Sequence, residues 1–232
     1  MWEKRLGLIA ISGFALLVVL GTASQMRAQE AKTPYPKMAP IEQYLMDRTA
    51  EIALARTAAP ESISADAEVL VLGPHGFETA VKGKNGFVCI VERSWTSAPD
   101  ADFWNPKVRT PICYNPPAAR SYLPRNTKRT DLILAGRTQA QTDEAIVAAV
   151  NKKELPVIEP GAMCYMMSKQ GYGGDTVKHW PAHVMFFFSE IAPATWGANL
   201  PGSPVLAVSD DHEHLTMFTI GVHRWSDGTE DR

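Results

Sequence analysis

Short apolar runs and stretches of helical spacing succeed one another along the chain. Ile41, Leu45, Ile52 and Ala55 recur on one helical face, with Glu42, Asp47, Arg48, Glu51 and Arg56 on the polar side. Pro40 is placed to open that helix and Ala58-Ala59-Pro60 to close it, which predicts a helix over 41–58. Runs rich in Val, Ile and Phe follow at 68–72, 77–81 and 87–92, separated by Gly73-Pro74-His75-Gly76 and Gly83-Lys84-Asn85-Gly86. Asn85-Gly86 tolerates positive φ, so the last two runs are expected to form a hairpin. Between Ser94 and Asp131 the pattern loses any sustained period and carries six Pro, which reads as a long Pro-rich loop.

Helical spacing returns at Thr138, where Thr138 and Gln141 stand at capping-box distance ahead of Ala145, Ile146, Ala149 and Val150. Beyond Pro156 the runs are strand-like again, at 162–167, 183–188, 205–208 and 215–225. Helix, strands, loop, helix, strands is the order of an α+β fold: a mainly antiparallel sheet with two principal helices and the Pro-rich loop.

The first residues alter this picture. Glu3, Lys4 and Arg5 precede an apolar stretch from Leu6 to Leu20, and small residues Gly21, Thr22 and Ala23 follow, the order of a secretory signal peptide. Cleavage is expected after Ala23; a cut after Ala28 would put bulky Met26 three residues before it. An uncleaved anchor is the alternative, because 6–23 reaches about the 18 residues that begin to span a bilayer. The organisation is then a signal peptide at 1–23, a flexible leader at 24–40 with Pro34, Pro36 and Pro40, and one α+β domain at 41–232. The expected location is periplasmic or secreted. Membrane contact would come only through the signal segment if it stays uncleaved.

The whole chain has 23 Lys and Arg against 25 Asp and Glu, a balance that gives no general pull toward nucleic acid. Removing Lys4, Arg5 and Glu3 with the signal peptide leaves a mildly acidic protein. Charge is nonetheless uneven. Residues 103–130 hold no Asp or Glu but do hold Lys107, Arg109, Arg120, Arg125, Lys128 and Arg129, with Trp104, Tyr114 and Tyr122 among them. Such a segment would meet phosphate or carboxylate groups of an envelope component, or acids elsewhere in the same fold.

Export permits cysteine pairing, and three Cys allow three single pairings. Cys89–Cys113 is the expected bridge because it would tie the Pro-rich loop to a core strand. The alternative is that Cys89 and Cys164 are small buried residues. A metal site is suggested by Asp210, His212 and His214: if that stretch is extended, all three side chains share one face, and His183 could join them around zinc or another divalent ion. Otherwise the segment is a solvated acidic turn. A Cys164 thiol paired with His179 or His183 is a further arrangement to test. Gly-x-Ser-x-Gly, His-Glu-x-x-His and phosphate-loop motifs are missing, and Gly171-Tyr172-Gly173-Gly174-Asp175 reads as a mobile loop.

Several segments, Asn85-Gly86-Phe87-Val88-Cys89, Pro160-Gly161-Ala162-Met163, His183-Val184-Met185-Phe186-Phe187-Phe188, Trp196-Gly197-Ala198-Asn199-Leu200 and Arg224-Trp225-Ser226-Asp227-Gly228, resemble those of a family of exported bacterial proteins of unknown function. That resemblance implies export and brings no activity, cofactor or site residue with it. The expected function is therefore that of a non-enzymatic binding or envelope-associated module, with a small molecule, envelope component or protein as partner, no nucleic acid and no cofactor. The competing expectation is a metal-dependent hydrolase built on Asp210, His212 and His214.

Overall fold

The computed structural model describes residues 34–231. The expected signal peptide and the first part of the leader lie outside the described residues. Strands are β1 (Glu68–Gly73), β2 (Gly76–Val81), β3 (Val88–Glu92), β4 (Thr110–Tyr114), β5 (Met163–Met166), β6 (His183–Phe188), β7 (Val205–Asp210) and β8 (Leu215–Gly221). Helices are α1 (Arg48–Arg56), α2 (Glu61–Ser64), α3 (Ser94–Ser97), α4 (Pro116–Ser121), α5 (Leu123–Leu134) and α6 (Gln139–Asn151). The strands form one eight-stranded sheet in the order β2-β1-β3-β4-β5-β6-β8-β7. Only β1 and β3 run parallel; every other neighbouring pair is antiparallel. The fold is α+β, as the pattern predicts.

Alternation along β3 sets the two faces of the sheet. Cys89 and Val91 point to the side where α1 packs, in a cluster with Ala55, Val69 and Cys113. Ile90 points to the other side, into a cluster with Ile112, Tyr114, Ala118, Leu123 and Phe187 beneath α4 and α5. Because both faces are covered here, all five residues of β4 are buried. Helix α6 packs on α5 through Ile146, Ala149 and Leu132.

Three expectations need correction. The stretch 94–131 is not a loop: it contains α3, β4, α4 and α5. Its prolines begin elements rather than prevent them. Pro116 and Pro124 sit in first turns, where no N–H partner is lost, and Asn115 caps α4 by accepting from the Ala118 N–H. The early helix is shorter than predicted, because a 3-10 turn at Ile41–Gln43 ends at Tyr44 and α1 starts only at Arg48, capped by Asp47, whose carboxylate accepts from the Ala50 N–H. Finally, β2 and β3 are not a hairpin. β2 pairs with β1, and the chain then crosses back past the start of β1 to lay β3 on its other side. Gly83 permits that crossing, since a Cβ there would stand 2.3 Å from the Glu68 nitrogen. Asn85 serves the crossing too: its amide donates to Ile63 O and its oxygen accepts from the Phe87 N–H.

The expected capping box at the start of α6 is present, with Thr138 accepting from the Gln141 N–H and Gln141 accepting from the Thr138 N–H. Cys89 and Cys113 face each other across β3 and β4 and form a disulfide. The bridge joins two core strands rather than a strand to a loop. Cys164 is free and buried. No helix among the described residues is long and apolar enough to cross a membrane.

One ion pair binds the first part of the chain to this sheet. Arg93 follows β3 on the α1 side and is fully buried, with its Nη2 2.9 Å from Oε1 of buried Glu51 on α1. The same carboxylate oxygen accepts from the Leu72 N–H of β1. Arg93 also donates through Nε to Tyr44 O and through Nη1 to Val91 O. One side chain therefore joins the 41–44 turn, α1 and β3.

Two stability effects follow from these contacts. Arg93→Met strands the buried Glu51 carboxylate, and urea denaturation should show a loss of about 3–5 kcal/mol, partly recovered by adding Glu51→Leu. A loss under about 1 kcal/mol would show that the pair does not hold α1 in place. Replacing Cys89 and Cys113 together by Ala should lower unfolding free energy by about 3–4 kcal/mol for a loop of this length, with the far-ultraviolet spectrum retained.

Candidate functional site

The sheet is wider than its helical cover. Helices α4 and α5 pack over β2, β4 and β5, while on the same face the β6, β8 and β7 end is left open by the described residues, with Leu206 and Val208 on the edge strand 59% and 63% exposed. A cleft of about 460 Å³ occupies this open half. Its floor is built from side chains that alternation sends to one face: Ile112, Met166, Met185, Met217 and Thr219. Tyr122 beside α5, Thr96 and Ser97 of α3, and the Trp180-Pro181 turn form its rim. Apolar and thioether groups dominate, and methionines adapt to irregular shapes better than branched side chains.

Glu92 lies at the deep end of this cleft, 4% exposed. Its Oε1 accepts from the Tyr114 hydroxyl at 2.5 Å and the Asn126 amide at 2.6 Å. Asn126 also donates to the Tyr114 oxygen at 2.7 Å, so the protons of this network run toward Glu92. Both donors use Oε1, which leaves Oε2 to the cleft. Arg93, the neighbouring cation in sequence, points through the sheet to Glu51 and gives no help. Desolvation therefore dominates and lifts the Glu92 carboxyl to about 7, against the opposing pull of the Tyr114 and Asn126 hydrogen bonds. Burial likewise raises the Tyr114 hydroxyl, which stays protonated as a donor.

His183, at the start of β6, also lines the cleft. Its Nδ1 hydrogen-bonds Pro181 O at 2.7 Å, and burial lowers its affinity for a proton, so the ring is neutral with Nε2 as acceptor. Cys164 lies in the core cluster below the cleft with its thiol raised well above the usual range by burial, which removes the thiolate a nucleophile needs.

A second cavity of about 400 Å³ shares Thr96, Tyr122 and Met217 with the first and adds charged side chains to an apolar lining. Arg129 pairs there with Asp143 and, at 2.6 Å, with buried Glu213, while Arg125 Nε stands 3.9 Å from the same carboxylate. Elsewhere Arg120 pairs with Glu159 and Lys128 with Glu154. Most of the cations in the acid-free segment are thus answered by acids of the same fold. Arg109, by contrast, donates to the backbone oxygens of Pro106, Val108 and Gln43.

The suggested metal ligands are not gathered at one point. Asp210 ends β7 opposite Leu215, whereas His183 pairs with Gly221 at the far end of β8, six residues or roughly 20 Å along the strand. Residues 211–214 form the turn between β7 and β8, so the alternation that would align Asp210, His212 and His214 does not exist there. Asp210 instead accepts from the His212 and Glu213 N–H groups, and His214 contacts Glu190 and Asn151. Among the described residues no group of three or more His, Cys, Asp or Glu stands where it could hold a metal ion. The Gly171–175 segment is likewise not free. Asp102, 1% exposed, accepts from the Asp175 and Thr176 N–H groups, and a Cβ on Gly174 would meet its carboxylate at 2.8 Å.

Sequence reasoning does not single out Glu92. The one signal it offers is a carboxylate at the end of an otherwise apolar strand, followed at once by a cation that alternation must send to the opposite face.

A proton on Glu92 is held more tightly in the folded chain than in the unfolded one, where its value is near 4.5. Its contribution to stability is therefore present below pH 4.5 and lost as pH rises through about 7. Glu92→Gln removes that dependence: between pH 5 and pH 8 its stability relative to the parent should rise by on the order of 3 kcal/mol in urea denaturation. A difference that stays constant with pH would show that Glu92 titrates normally.

The chain matches no protein-family model, no curated protein and no solved structure.

Proposed function

We propose that the protein is an exported, non-enzymatic binding protein, periplasmic or secreted, which holds a small and largely apolar ligand in the cleft over β6, β8 and β7. The observation that carries this reading is the open half of the sheet: a cleft of about 460 Å³ with a thioether and aromatic lining around one deeply buried carboxyl. A surface of this kind has a cost in water and is relieved by an apolar occupant. Export is supported by the charged, apolar and small-residue order of the first 23 residues and is compatible with the Cys89–Cys113 disulfide. Binding rather than turnover is favoured because the sequence lacks a nucleophile motif and buried Cys164 is held as a thiol.

The test is fluorescence titration of the purified protein with the neutral fluorophore N-phenyl-1-naphthylamine. One equivalent should bind with enhanced, blue-shifted emission, and Thr219→Trp, which fills the floor, should weaken binding at least tenfold. No binding by the parent, or equal binding by the variant, would overturn the reading. In fractionated cells, the protein should be found outside the cytoplasm with an N-terminus at Ser24; full-length protein in the cytoplasm would overturn the export part.

A further inference from the structure

The cleft has a polar end and a direction. Glu92 stands on β3, and Leu206 and Val208 stand on β7, five strand positions away in the sheet order. At about 4.8 Å per strand the distance is roughly 24 Å, so an occupant that uses both ends is elongated. At the deep end, Asn126 donates to Tyr114 and to Glu92, and Tyr114 donates to Glu92, so the protein's hydrogens are already committed to Oε1. The cleft is therefore offered an oxygen that accepts. A donor-bearing or cationic group is its complement.

We propose that the ligand is an elongated amphipathic amine, whose ammonium group pairs with Glu92 Oε2 while its apolar body runs over the methionine floor toward Leu206 and Val208. This inference rests on the reading of the cleft as a ligand site and adds the ligand's chemistry. The opposite possibility is a protonated Glu92 that donates to a ligand carbonyl or hydroxyl. Two hydrogen bonds already donated to one oxygen argue against it, because donors on a carboxyl favour the charged form.

The groups facing Glu92 support the same choice. They are Tyr114 on β4, Tyr122 ahead of α5 and the Cys164 thiol on β5, and burial holds all three protonated and neutral. Asn126 on α5 and Thr110 on β4 carry no charge. His183 lies three strand positions away and is neutral. The cations of α5 that line the adjoining cavity, Arg125 and Arg129, are turned to Glu213 and Asp143. Arg93 is on the other face of the sheet. Among the described residues a cationic ligand would meet no unpaired cation beside Glu92, and it would supply the carboxylate with a counter-charge.

Isothermal titration with n-octylamine and 1-octanol, which share length and shape, tests the proposal on the full chain. At pH 8 the amine should bind at least tenfold more tightly than the alcohol, and its affinity should fall at least tenfold at pH 5.5, where Glu92 is protonated. Lengthening the series from hexylamine to decylamine should tighten binding by about threefold to fourfold per CH₂. At pH 6, titrations in buffers of different ionisation enthalpy should show about one proton passing from Glu92 to the buffer per amine bound, and none for the alcohol. Glu92→Gln should reduce the amine to the level of the alcohol and abolish the pH dependence; a variant that keeps the preference for the amine would overturn the pairing with Glu92. If that fluorophore binds the parent but the amine shows no preference, or the alcohol binds best at low pH, the amine proposal is wrong and the cleft reading stands. If the fluorophore fails on the parent, both fall.

Discussion

The buried guanidinium of Arg93 is the constraint from which much of this structure follows. A charge removed from water must be met by partners of good geometry, and Arg93 meets that demand with Glu51, Tyr44 O and Val91 O. Satisfying it fixes α1 against β1 and β3 and brings the 41–44 turn down onto the same site. It also fixes the face of every residue in β3. Once Arg93 points toward α1, alternation sends Glu92 to the opposite face, where among the described residues a phenol and an amide donate to its carboxylate. Two oppositely charged residues adjacent in sequence are thus held apart by the thickness of the sheet. The isolation of Glu92 is the direct result of the good pairing of Arg93.

The cleft has an equally plain origin. Eight strands make a sheet wider than the two short helices α4 and α5 can cover, and α6 packs on α5 rather than extending the layer. On the opposite face the β6 and β8 end is closed differently, by Trp196 stacked on Phe218 and set against Phe186 and Phe188. The consecutive phenylalanines of β6 therefore serve different sides. Phe187 fills the core beneath Tyr122, while Phe186 and Phe188 meet the tryptophan. Among the described residues, nothing is layered over the floor of Met185, Met217 and Thr219 and the edge residues Leu206 and Val208.

Much of the fold is legible in the sequence because local rules decide it. The β6 run is bounded correctly at both ends, the capping box of α6 is present, and the α+β class with a mainly antiparallel sheet holds. The failures share a cause. Six prolines over 94–131 suggest broken structure, yet at first-turn positions proline costs no hydrogen bond, and Asn115 ahead of Pro116 and Pro117 is a helix start in its own right. Asn85-Gly86 has the local chemistry of a hairpin turn, but the parallel placement of β3 depends on a crossing that local propensity does not encode. The candidate site was less legible still. Histidines at 212 and 214 attract attention by residue type, but the turn they occupy removes the alternation that would join them. Glu92 carries no such mark. Its character comes from what alternation, the width of the sheet and Arg93 withhold from it, and those are tertiary facts.

A carboxyl placed this way opposes folding at neutral pH, and a network that only partly satisfies a buried charge is worse for stability than an apolar core. Leucine or methionine in place of Glu92 would continue the lining supplied by Ile112, Met166 and Met185, at the cost of leaving the buried Tyr114 and Asn126 donors without this acceptor. The fold does more than tolerate the carboxyl, because it devotes one phenol and one amide, both buried, to directing protons at one of its oxygens while the other faces the cleft. Hydrogen bonds aimed at a group stabilise its ionised form, whereas the dry surroundings oppose it, and the two effects leave the proton balanced near neutral pH. A group in that condition responds strongly to one added charge. An occupant bearing a cation would tip the balance to the carboxylate.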